Sequence, residues 1–344
     1  MSGRPRRRTV LTAGMGSAFG LLATQGSAAA DRGGHGPHRP RVAPAEPVEP
    51  AFTRTVTFGA YTDGMDASPA RLDALATRLH QPLGIASIYR GQGDVWPGPL
   101  EKQLAAGRTL LVAWYLDWRS YGYWARGKGD RYLRSVARAV RAFGSPVALR
   151  PWAEMNGDWQ PFQPTSAPTD GYPTGYAAFV AAWRHVVGVF RAEGVTNVRW
   201  VLNPTTDTYA GTTPVKRIWP GSAYVDVLGL DGYNWGTGGI FTWRSFADIY
   251  SAQYARLTAL APDKPLWICE IGCADPASTC NAVTAPAGQS KGRWWTDMAA
   301  TVAQLPAVEA VSLFDICKER DWRAASSADA LTGLQNALVS LRAA

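Results

Sequence analysis

The sequence predicts a parallel α/β fold closed into a single (β/α)8 barrel. Short β-rich runs alternate strictly with helical stretches along the whole body of the chain. No GxGxxG string follows the first run, which argues against a dinucleotide-binding open sheet. The body, from Phe52 to Ala344, has the length of such a barrel, for which about 250 residues is typical.

The strand-like runs are 56–61, 84–89, 109–115, 147–152, 198–203, 225–231, 266–271 and 310–315, each rich in β-branched or aromatic residues. Helical patterns are expected over 68–80, 100–106, 131–143, 175–193, 246–261, 293–305 and 328–341. Ser68 followed by Pro69 reads as an N-cap with a first-turn proline. The connection after Asn203 offers only a short helical candidate, over 215–219.

Two segments precede the barrel. Residues 1–30 carry Arg4, Arg6, Arg7 and Arg8, no acid, a Gly/Ala-rich apolar run and Ala28-Ala29-Ala30. That is the layout of an export signal with a small-residue cleavage site. Arg7-Arg8-Thr9-Val10-Leu11 points to the twin-arginine type and a secreted product. Residues 31–51, rich in Pro, Gly and charge, read as an extended linker.

Composition narrows the function. With 46% hydrophobic and 18% charged residues, the chain has ample core material and is not disordered. It has no apolar run long enough for a membrane-spanning helix. Four positive charges of the net +8 lie in the leader, and no dense basic stripe follows Arg41, so nucleic acid is not an expected partner. Of four histidines, His35 and His38 fall in the linker, leaving His80 and His185 in helical contexts. A His-rich zinc site is thereby excluded, and no metal or organic cofactor is expected. A monomer is expected.

A barrel of this kind carries its chemistry at the C-terminal ends of its strands. Run four leads into Arg150-Pro151-Trp152-Ala153-Glu154-Met155-Asn156-Gly157-Asp158-Trp159, and run seven contains Trp267-Ile268-Cys269-Glu270-Ile271-Gly272. Glu154 and Glu270 then face each other across one mouth. One such glutamate alone would read as a salt-bridged structural residue. Two carboxyls in different environments suit glycoside hydrolysis, where one donates a proton and the other attacks.

These segments, with VDVLGLDGYNW and SLFDICKERDWR, resemble glycoside hydrolase family 26 over roughly residues 55–340. That resemblance implies a retaining endo-β-glycanase, with β-1,4-mannan the leading substrate and mixed-linkage β-glucan or β-1,3-xylan as alternatives. It assigns the acid/base to Glu154 and the nucleophile to Glu270. Arg150 and Tyr233 would orient the nucleophile, and Asn156 and Trp159 would contact substrate. Many members carry His just before the acid/base, where this chain has Ala153. A non-catalytic saccharide-binding barrel is the competing reading.

Fifteen tryptophans supply candidate sugar platforms, because the C–H faces of pyranoses stack on aromatic rings. Those at run ends are Trp114, Trp118, Trp152, Trp159, Trp235 and Trp322, joined by Tyr115 and Tyr233, with Asp231 beside Tyr233 as a polar contact. Lys318, Glu319 and Asp321 should form a salt-bridged loop that positions Trp322. Cys269, Cys273, Cys280 and Cys317 are an even number in an exported chain, so disulfides are expected, with three pairings open.

Overall fold

The computed structural model describes residues 55–116, 119–207 and 211–342. The export segment, the linker and Trp118 lie outside the described residues. Eight parallel strands close into a barrel in sequence order. They are β1 (Thr57–Thr62), β2 (Ile85–Gly91), β3 (Thr109–Tyr115), β4 (Val147–Pro151), β5 (Val198–Leu202), β6 (Val227–Asn234), β7 (Leu266–Cys273) and β8 (Val308–Asp315).

Around them run α1 (Ala70–Leu79), α2 (Pro99–Leu104), α3 (Tyr121–Ala125), α4 (Asp130–Phe143), α5 (Gly175–Ala192), α6 (Phe246–Leu260), α7 (Lys291–Ala303) and α8 (Ala328–Ser340). Among the described residues, only 3-10 turns, Val215–Arg217 and Ser222–Tyr224, lie between β5 and β6. Among the described residues no helix is long and apolar enough to cross a membrane.

The helices form for local reasons. On α4, Leu133, Val136, Ala137 and Val140 recur at helical spacing and are all buried. The left-handed Gly144 then ends the helix. Thr174, Ser245, Ser290 and Ser327 each accept a backbone N–H of the first turn of α5, α6, α7 and α8, which stabilises each start by about 1 kcal/mol. Helix α1 starts at Ala70, whose N–H bonds the Ser68 hydroxyl at 3.1 Å.

Side chains alternate between two cores. Ile85, Leu111, Ala148, Val201, Val227, Trp267, Cys269 and Ala310 fill the barrel interior. A larger cluster fills the layer between sheet and helices. Strand parity therefore decides which residues reach the mouth. Counting in twos from the interior residues brings Tyr89, Tyr115, Arg150, Asn203, Asp231, Tyr233 and Phe314 to the top of the barrel.

Strand β7 breaks this parity once. Leu230 pairs with Ile268 and Asp231 with Glu270, so Cys269 has no counterpart on β6. This bulge turns Glu270 inward although Cys269 already faces the interior. Without it, alternation would send Glu270 into the helix layer.

Candidate active site

Glu154 sits in the turn that leaves β4. Trp152 and Glu154 both have left-handed backbones, at φ 51° and 58°, a conformation that costs a non-glycine residue about 1–2 kcal/mol. The turn is held by the Glu154 N–H on the Asn203 carbonyl at 2.8 Å and the Gly157 N–H on the Glu154 carbonyl at 2.9 Å. The indole of Trp159 and the amide of Gln160 donate to Glu154 Oε2 at 3.2 and 3.3 Å. Desolvation, followed by the nearby charge of Glu270, pushes the Glu154 carboxyl up to about 7, against the pull of Trp159 and Arg150.

Glu270 meets the opposite environment. Arg150 Nη2 and the Tyr89 hydroxyl donate to its Oε1 at 2.6 and 2.8 Å, and the Tyr233 hydroxyl donates to Oε2 at 2.6 Å. Burial, then the charge of Glu270, holds both phenols far above their ordinary range, so both stay protonated donors. Arg150 is fully buried. Its other nitrogen, Nη1, reaches Asn203 Oδ1 at 2.8 Å and Asp231 Oδ2 at 3.1 Å. Burial works against the guanidinium charge, and the attraction of Glu270 and Asp231 outweighs it.

The structure brings Glu154, Glu270, Arg150 and Tyr233 together at one end of the barrel. Trp159 and Trp235 are half-buried at the same end. Trp235 stacks on Phe241 with ring centres 4.6 Å apart, and the Arg320 guanidinium lies over both rings.

Five expected substrate contacts are placed elsewhere. Trp114 is fully buried on the outer face of β3, against Trp96, Tyr132 and Phe190. Its neighbour Tyr115 takes the inward position instead. Trp152 is fully buried too, because its left-handed backbone turns the ring onto Tyr121 and Phe179. Asn156 exchanges hydrogen bonds with the backbone of Thr205 at 2.7 and 3.2 Å and pins the β5–β6 connection rather than facing the cleft. Asp231 is buried below the mouth as a counter-ion of Arg150. Trp322 lies behind the wall, packed on Tyr233 and Trp235 at 4.8 and 5.1 Å between ring centres, its indole donating to Glu319.

The cysteines divide. Cys280 and Cys317 form a disulfide that ties the β7–α7 loop to the β8–α8 loop. Cys269 and Cys273 are buried free thiols, a correction to the expectation that all four pair. Burial pushes the Cys273 thiol up to about 12.

Sequence reading named Tyr115 beside Trp114 and Trp118 but missed Tyr61, Tyr89 and Phe314. With Tyr115 these three rings form a connected layer at the mouth: Tyr61 lies 4.9 Å from Tyr89 and 5.6 Å from Phe314, and Tyr89 stacks on Tyr115 at 6.4 Å. It also missed Gln160 and Asn203. Parity counting from Leu111 and from Ile85 is the signal that places Tyr115 and Tyr89 on the inward face.

Known proteins share this architecture and sequence. Endoglucanase H of Acetivibrio thermocellus is 34% identical over 257 residues, 71% of this chain and 26% of that protein. A mannan endo-1,4-β-mannosidase of Bacillus subtilis is 32% identical over 131 residues, 38% of this chain and 31% of that protein. The chain thus spans less than a third of the length of either curated relative. The crystal structure of a modular endo-β-1,4-mannanase from Cellulomonas fimi aligns over 82% of this chain and 70% of its own, with a TM-score of 0.58 at 18% identity, a likeness of fold. Residues 130–279, which run from α4 through both glutamates, match the sequence pattern of glycosyl hydrolase family 26. By that match and these relatives, the chain belongs to glycosyl hydrolase family 26.

Proposed function

We propose that the chain is a secreted retaining endo-β-glycanase. Glu270 is its nucleophile and Glu154 its acid/base. One observation carries the reading: two carboxyls at one barrel mouth have opposite surroundings. Glu270 faces three donors, while Glu154 is desolvated to a value of about 7. The first suits an attacking carboxylate and the second a group that must give and take a proton near neutrality.

In the first step, C1 of the sugar bonds to Glu270 as its bond to the leaving oxygen breaks. The electron pair goes to that oxygen, which takes the proton of Glu154. In the second step water attacks C1 and gives its proton to Glu154. The electron pair of the ester bond returns to Glu270. A retaining mechanism requires carboxyl groups about 5–5.5 Å apart.

The expected substrate is β-1,4-mannan, in keeping with the mannanases among the relatives. A second reading, mixed-linkage β-glucan, is favoured by two observations. Ala153 stands where many family members carry His, and a relative matched over 71% of this chain is named an endoglucanase. Export through the Arg7-Arg8 signal belongs to the same proposal.

The test is a panel of mannan, mixed-linkage glucan and β-1,3-xylan, with the anomer of the first-formed product read by NMR. Retention is expected. Inversion would remove Glu270 from the nucleophile role, and no turnover on any polymer would favour a binding barrel. Glu154→Ala should keep activity only on substrates with good leaving groups and be partly rescued by azide. Glu270→Ala should form no covalent intermediate, and any azide product on such substrates should be the inverted anomer, whereas Glu154→Ala gives the retained one.

A further inference from the structure

The three donors on Glu270 are unequally shared. Oε1 accepts two, from Arg150 and Tyr89, while Oε2 accepts one, from Tyr233. A carboxylate oxygen has two lone pairs in its plane. Among the described residues, two donors occupy both on Oε1, whereas Oε2 keeps one open.

Tyr89 is fixed independently of Glu270. Its ring is bracketed by Tyr61, Tyr115 and Phe314. Its carbonyl accepts from Arg90 Nη1 at 2.7 Å. Arg90 is in turn locked to Glu101 of α2, a buried acid whose second oxygen accepts the Gly98 N–H at 2.7 Å. A buried ion pair on the outer side of β2 thus anchors the backbone that aims the phenol inward.

We propose that Tyr89 is a positioning residue that, with Arg150, holds Oε1 of Glu270 through the whole cycle and leaves Oε2 as the oxygen that bonds C1. The inference rests on the function proposed above. When C1 bonds Oε2, Oε1 becomes the ester carbonyl oxygen and keeps both donors. When water attacks C1, the ester electron pair returns to Glu270, and the restored charge finds Arg150 and Tyr89 already in place. Tyr89 therefore acts most strongly on release of the intermediate, where Glu270 is the leaving group.

Two measurements test this. The first is the structure of the wild-type enzyme trapped with an activated 2-deoxy-2-fluoro glycoside of the sugar it hydrolyses. The ester is expected through Oε2, beside Tyr233, with Tyr89 and Arg150 still on Oε1. An ester through Oε1 overturns the inference while leaving the proposed function intact. An ester on another residue overturns the function and the inference with it.

The second measurement is the kinetics of Tyr89→Phe on aryl glycosides with good leaving groups. Both kcat and KM should fall, because the intermediate accumulates, and the trapped ester should turn over about tenfold more slowly, the size of one hydrogen bond to a charged group. A lower kcat with unchanged KM and unchanged ester turnover would mean that Tyr89 only supports the fold, and would overturn the inference.

Discussion

The indole nitrogen of Trp159 donates to Oε2 of Glu154 at 3.2 Å, so an aromatic ring at the mouth and a carboxyl raised to about 7 form one electrostatic unit. The same ring lies over Gly157, where a Cβ would stand 2.6 Å from it. A glycine, an indole and a glutamate therefore set one another's positions within a single turn.

The first prediction concerns pH. In its proposed role Glu154 donates only when protonated, and its carboxyl is held at about 7. The value of kcat/KM should therefore fall as pH rises through about 7. The Trp159 hydrogen bond favours the ionised form and pulls the value down. Trp159→Phe removes that pull, so the alkaline limb should move to higher pH. A limb that stays in place, or moves lower, would detach it from Glu154.

Stability should carry the same signature. A carboxyl raised in the folded state contributes stability that is complete below its ordinary value of 4.5 and is lost as pH rises through about 7. Glu154→Gln cannot ionise. In urea melts its stability relative to the parent should rise by roughly 1–3 kcal/mol between pH 4 and pH 8. No change in that difference would mean that Glu154 is ordinarily solvated.

Tryptophans on the two sides of the sheet should separate cleanly. Trp114→Ala removes a fully buried ring and should cost about 3–5 kcal/mol. Trp235→Ala should shift the melting temperature by only a few degrees and lower kcat/KM about tenfold, a loss of roughly 1.4 kcal/mol of transition-state stabilisation. If Trp235→Ala instead melts early and keeps its kinetics, the wall it forms with Phe241 is structural.

Gly272 gives a fourth test. A Cβ there would stand 2.8 Å from Tyr233 Cδ1 and 2.9 Å from Trp322 Cε3. Gly272→Ala must displace the Tyr233 ring, and with it the hydroxyl on Glu270. Activity should fall at least tenfold with a stability loss of about 1–3 kcal/mol. In a Tyr233→Phe background the same substitution should cost little further activity, because both changes remove one hydrogen bond. Additive losses would mean that Gly272 acts through another contact.

The disulfide should matter to the fold as well as to the mouth. Cys280 and Cys317 lie 37 residues apart in sequence, and opening such a loop costs roughly 2–4 kcal/mol. Reductant or Cys317→Ala should lower the melting temperature accordingly. In the native protein Cys269 and Cys273 should resist thiol reagents, since both are buried and burial raises both thiols. Rapid labelling of two thiols in the oxidised native protein would contradict this arrangement.

Strand and helix order were legible because eight β-rich runs are separated by helices with clear periodicity and caps. Ends were less so. Strands β6 and β7 continue to Asn234 and Cys273, past residues whose polarity reads as loop. Helix α3 was missed because Tyr121–Ala125 is too short to display a period. The two glutamates, Arg150 and Tyr233, which the structure brings together at the mouth, were named from motif context. Trp114 and Trp152 were misjudged because residue type was weighed above parity. A tryptophan beside a strand end draws attention, yet on β3 it is Tyr115, the adjacent residue, that shares the inward face with Leu111. Tyr89 was missed for the same reason.

The unpaired Cys269 on β7 has a meaning for anyone moving this chemistry to another scaffold. A regular strand carrying the same residues would present Trp267, Cys269 and Ile271 to the lumen and deliver Glu270 to the hydrophobic layer outside. Grafting the glutamates and their donors onto an idealised barrel would therefore yield an inert protein. The transferable unit is the irregularity together with the carboxylate, so a search of strand sequences by strict alternation would reject the position that Glu270 holds.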